Sequence, residues 1–248
     1  SDQEKKSGNK LETEEDDQIK RGAVTLKYEK NYTDRGYLLN YQKSPNIGYY
    51  KNRLLQFKIE LNDTSPLIWR RILVPTEYNL WDLHVAIQDA MGWLDYHLHH
   101  FEIKGKGKKK EERIGIPDFD RFDDLQEIYP GWEIPVLNYF NDLGVRARYI
   151  YDYGDSWTHT VILEGHLVKE DGVKYPVCID GARACPPEDC GGVEGYLSLL
   201  EILADPANDE YDDMRTWVGK DWDPEKFDKK AVVFDSPYKR FRKAFMEP

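Results

Sequence analysis

Arg146–Gly165, RARYIYDYGDSWTHTVILEG, is the stretch that decides the fold. Ala147, Tyr149, Tyr151 and Tyr153 alternate along its first half, and Trp157, His159, Val161 and Leu163 along its second. A period of two on both sides of a turn at Gly154-Asp155 predicts a β-hairpin with one buried face. Asp and Gly suit such a turn because both tolerate positive φ. Upstream, LLQFKIEL (54–61) and LIWRRILV (67–74) repeat the pattern around NDTSP, so a second hairpin is expected, ending at Pro75.

Between the hairpins lies a helical period. Asn79 stands at an N-cap position with Asp82 three residues on; Leu80, Leu83, Ile87, Ala90 and Met91 follow at helical spacing, and Gly92 supplies a stop. WLDYHLHHFEI (93–103) reads as a further strand, with His97, His99 and Phe101 on one face. Residues 114–144 hold Pro117, Pro130, Gly131 and Pro135 and read as loop-rich with one helical turn, and 193–203 reads as a helix. Hairpins with interspersed helices, without strict βαβ alternation, indicate an α+β fold with a mostly antiparallel or mixed sheet. The first twenty residues are polar and charged and predict a disordered tail. Residues 21–52 form an N-terminal extension, within which Ala23–Tyr28 could make a short strand, and 53–248 one α+β domain.

Composition narrows the function. The net charge of -11 opposes a general nucleic-acid coat, although the basic tracts Lys104–Lys110 and Lys239–Lys243 could touch phosphates locally. The sequence has no apolar run long enough for a membrane span and no apolar leader, and three cysteines are too few for a disulfide framework. A reduced, cytosolic protein is expected.

Chemistry concentrates between Arg146 and Gly192. Cys178, Cys185 and Cys190 fall there with His159, and zinc or another divalent metal could be held by these thiols together with His159 or one of His97, His99 and His100. The histidines at 97 and 99 lie about 7 Å apart on a regular strand, so one of them is the expected ligand. The competing reading is that the thiols pack a Pro/Gly-rich loop. In PPEDCGG (186–192) prolines and glycines would hold Glu188 and Asp189 rigidly, or simply join a loop to a helix. Asp152 and Asp155 flank the hairpin turn near His159, so His159 with Asp155 or Glu188 could act as an acid–base pair in a metal-free hydrolase. His84, beside the apolar helix face, reads as a satisfied core histidine, and His166 carries no signal. The P-loop, dinucleotide, GxSxG and HExxH patterns are absent.

Taken in order, PLIWRRILVP, LWDLHVAIQDAMGWLDYHLHHFEI, YDYGDSWTHTVILE, YPVCIDGARACPPEDCGG and Gly195-Tyr196 resemble the plasmid pRiA4b ORF-3-like family, also labelled an insertion-element passenger protein. The resemblance runs from about Arg53 to the region of Asp228. It implies a compact α+β domain and a link with plasmids and mobile elements; the alternative to a metal site is a nucleic-acid or protein binding module of a mobile element without catalytic activity, using the basic tracts. It brings no reaction with it. It marks His97, His99, Asp152, Asp155, His159, Cys178, Cys185, Glu188 and Asp189, which the chemistry of the residues also selects.

Overall fold

A computed structural model describes residues 24–25, 40–43, 48–105, 107–117 and 127–247. The tail at 1–20 lies outside these residues, as does most of the extension. Ten strands are described: β1 (Val24–Thr25), β2 (Gln42–Lys43), β3 (Arg53–Leu61), β4 (Ile68–Pro75), β5 (His99–Ile103), β6 (Glu112–Gly115), β7 (Ile128–Pro130), β8 (Arg146–Tyr151), β9 (Trp157–Val168) and β10 (Val177–Ala182). The helices are α1 (Leu80–Met91), α2 (Gly192–Ala204), α3 (Tyr211–Val218) and α4 (Pro237–Phe245). β1 pairs with β2; the other eight strands form one sheet in the order β10-β4-β3-β9-β8-β5-β6-β7. Every neighbour pair in it is antiparallel except β6–β7. The fold is α+β, as the hairpin pattern predicts.

Alternation sorts the side chains onto two faces. Leu55, Phe57, Ile59 and Leu61 of β3 and Trp157, Val161 and Leu163 of β9 are buried on one face, with Tyr149 and Tyr151 of β8. The other face carries Arg71, whose guanidinium donates to Glu164, and Glu102, which lies between Arg113 and Arg148. Cross-strand charge pairs suit a solvated face.

Helix α1 covers the buried face. Its Asn79 cap accepts from Asp82 N, the Asp82 carboxylate takes Asn79 N, and Gly92 closes the other end in the left-handed region at φ 94. Every α1 residue except Asp89 is buried, because a second small core covers its outer side. That core joins Trp81, Val85 and Trp132 to Tyr41 and Phe241. Tyr41, from the stretch read as an extension, donates its hydroxyl to Asp82, and Asn79 Nδ2 donates to Gln42 O. Burial raises the Asp82 pKa to about 6, with Lys43 and Tyr41 opposing it.

Three local expectations need correction. The strand over 93–103 begins only at His99. Before it Asp95 takes φ 62, while Leu94 N and Tyr96 N donate to the Glu188 and Tyr151 side chains, so no neighbouring strand takes them up. In the β8–β9 turn the left-handed residues are Asp152 and Ser156, because Asp152 Oδ1 accepts from Gly154 N and Asp155 N and fixes the turn itself. Cys178 lies in edge strand β10, paired with β4, where a loop was expected. Among the described residues no helix is long and apolar enough to cross a membrane.

Candidate functional site

Three segments remote in sequence meet beside the end of α1: the loop 92–98, the β8–β9 turn, and the loop 185–191. His97 Nε2 lies 3.0 Å from Asp189 Oδ1 and 3.6 Å from Asp152 Oδ2. One ligand atom from each of these residues falls within 4.8 Å of the others, the spacing a shared metal ion needs. Asp152 and Asp189 both adopt φ 58, a region Asp enters more readily than most residues. His97 is partly exposed and Asp189 exposed, so the group opens to solvent.

The loops are tied together by the remaining acidic residues. Glu188 accepts from Leu94 N at 3.0 Å and from the Tyr151 hydroxyl at 2.6 Å. Burial, then Glu188, raises the Tyr151 pKa, so its phenol stays a donor. Asp155 Oδ2 accepts from Gly191 N, joining the hairpin to the start of α2, where Gly191 caps the helix without a side-chain bond. Glu188 also helps line a groove of about 720 Å³ between the end of α1 and α3, with Trp93, Trp217, Trp222 and Phe227 on its walls.

The other expected ligands go elsewhere. The three thiols are free, and none belongs to a group with metal-holding geometry among the described residues. Burial raises all three, Cys190 to about 12, so they stay protonated. They pack against the sheet–helix core. His159 is fully buried, its Nδ1 3.3 Å from Tyr149 O, edge-on to Trp93. Its bonding partners include neither Asp155 nor Glu188, so the acid–base pair considered for it is not formed in the structure. In the basic tract 239–243, Arg240 is committed to Asp89 at 2.6 Å and Phe241 to the second core.

Burial lowers the His159 pKa to about 3. A histidine depressed in the folded state leaves stability intact above its unfolded value near 6.5 and erodes it as pH falls towards 3. Over that window wild type should lose stability about 1.4 kcal/mol per pH unit faster than His159→Gln, as urea titrations at several pH values would read.

His99 parts company with His97. It turns inward at 1% exposure, and its ring stacks on that of His84 with centroids 3.4 Å apart and planes within 4°. Burial, then the His84 neighbour, holds its pKa well below the usual value. His84 Nε2 lies 2.9 Å from Asp95 Oδ1, and His84, Asp95 and His99 form a second group with ligand atoms within 4.8 Å. His84 is the buried, partnered core histidine expected of it, and the ligand-spaced grouping with Asp95 and His99 comes in addition. The signal for that grouping was His84 and Gln88, polar and four apart on an otherwise apolar helix face.

Comparison with known proteins agrees with the fold. The family model of plasmid pRiA4b ORF-3-like proteins matches residues 53–231. The uncharacterized protein y4hQ of Sinorhizobium fredii (strain NBRC 101917 / NGR234) is 32% identical over 167 residues, covering 67% of this chain and 81% of that protein. A crystal structure of MM3350, a protein of unknown function from Methanosarcina mazei Go1, superposes with a TM-score of 0.66 at 40% identity, covering 73% of this chain and 98% of that one. The chain belongs to the plasmid pRiA4b ORF-3-like protein family.

Proposed function

We propose that this protein binds a divalent cation where the three loops meet, through His97 Nε2 and one carboxylate oxygen each of Asp152 and Asp189. The observation that carries the reading is their convergence from three separate segments, with ligand atoms within 4.8 Å of one another. One imidazole and two carboxylates suit zinc or manganese. Three protein ligands at an open edge leave positions for water or a substrate oxygen, the arrangement of a working rather than a purely structural ion. Glu188 would stand beside that ion and at the rim of the groove, which gives a bound molecule room next to the metal. Three free thiols fit a reducing, cytosolic setting, and the family points to a plasmid or mobile-element context.

Competition with a chromophoric chelator tests the reading. His97→Ala should weaken zinc binding at the loop site by at least about 100-fold, more than loss of a supporting partner usually costs. Asp189→Asn should weaken it by roughly 10-fold, its carboxylate being exposed. Cys185→Ser should stay within about twofold of wild type, which separates this site from a thiolate one. Equal affinity in wild type and His97→Ala would sink the proposal.

A further inference from the structure

We infer that His84, Asp95 and His99 form a second, buried site for a divalent ion of the zinc class. A nitrogen of each imidazole and a carboxylate oxygen lie within 4.8 Å of one another. An ion about 2.0–2.2 Å from each would require the stacked rings, parallel within 4°, to tilt so that both nitrogen lone pairs point at it.

Three observations support it. His99 is almost wholly buried, and neither of its ring nitrogens has a hydrogen-bond partner among the described residues. Buried polar side chains are nearly always satisfied, by protein, water or an ion, and an imidazole with two idle nitrogens beside two further ligand groups has one free for an ion. The second observation is charge. Arg240 reaches Asp89 at 2.6 Å, Asp235 at 3.5 Å and Asp95 at 3.6 Å, one guanidinium against three carboxylates. A dication would offset the remaining negative charge. The third is support behind the ligand: His84 Nδ1 lies 2.8 Å from the Tyr149 hydroxyl, whose oxygen accepts from Gln88 Nε2 at 2.9 Å. Such a partner on the far ring nitrogen fixes a histidine for coordination.

Two imidazoles and one carboxylate favour zinc, iron or nickel over magnesium or calcium. With both histidines sealed from solvent, the ion would fasten α1 to β5 and to the loop between them, and would exchange slowly. The loop site, by contrast, is open and would exchange quickly.

The test removes the loop site first. Protein carrying His97→Ala is unfolded with chelator, refolded with zinc sulfate, desalted through chelator and analysed for metal by mass spectrometry. About one equivalent should be retained, and its Tm should exceed that of the same protein refolded with chelator alone. Adding Asp95→Asn, which preserves side-chain volume at a loop position, should reduce retention below about a tenth of an equivalent. X-ray absorption on the retained zinc should show two imidazoles. Retention below about a tenth in His97→Ala itself would overturn the buried site, as would full retention after Asp95→Asn. Neither result bears on the loop site, which His97→Ala has already removed.

Discussion

Replacing Arg70 by alanine should lower the unfolding free energy by about 4 kcal/mol, because it opens a cavity and orphans buried carbonyls at once. Arg70 is 1% exposed and faces inward from β4. Its Nε donates to Ala90 O at 2.8 Å, and its Nη1 to Trp69 O at 2.8 Å and Ala182 O at 3.0 Å. The guanidinium lies 3.7 Å from the ring centroid of Phe227. One planar cation thus joins the last turn of α1, strands β4 and β10, and the segment after α3. Burial lowers its pKa, and carbonyl dipoles with an aromatic face take the place of a counter-ion. A loss of this size in a chain of this length corresponds to a fall in Tm of roughly 10 °C. Arg70→Lys should fall between, since an ammonium keeps the charge but not the flat fork that serves several carbonyls. A urea titration showing less than about 1 kcal/mol lost in Arg70→Ala would mean the carbonyls find other donors.

Gly195→Ala should cost about 3 kcal/mol, although alanine ordinarily favours a helix over glycine. The sign reverses because a Cβ at 195 would stand 1.9 Å from Cys190 O and 2.8 Å from its carbonyl carbon. Backbone cannot yield as a side-chain tip can. To relieve the clash, α2 must part from the loop 185–191, and that loop carries Glu188 and Asp189. Zinc binding at the loop site should therefore weaken by roughly 10-fold in any Gly195→Ala protein that folds, as misplacement of a supporting element would predict. Thermal melts and the chelator assay read both effects. Wild-type values in both would show that the junction relaxes freely.

The parts legible in the sequence were those with a local signature. Leu55, Phe57, Ile59 and Leu61 alternate with Gln56, Lys58 and Glu60, and the structure buries the first set at 0%. Asn79, Asp82 and Gly92 bracket α1 as their chemistry requires. Tyr41 and Phe241 gave no warning that they share a core, because a contact between chain ends leaves no periodic trace. For the same reason the structure groups the candidate residues differently from their grouping along the sequence. Strand spacing placed His97 and His99 together, whereas left-handed Asp95 and the side-chain partners of Leu94 and Tyr96 turn the chain between helix and strand. His97 then meets the carboxylates of two other loops, while His99 stacks on His84. The thiols drew attention by chemical type. Their burial keeps them as packing groups.

The span matched by the family, 53–231, leaves out Tyr41 at one end and Phe241 at the other. A fragment cut to that span would bare the indoles of Trp81 and Trp132 and strand Asp82 without its phenol donor. Exposed together, those aromatic surfaces invite self-association. Truncations meant for crystals or spectroscopy should therefore keep both flanks, from before Tyr41 through Phe245.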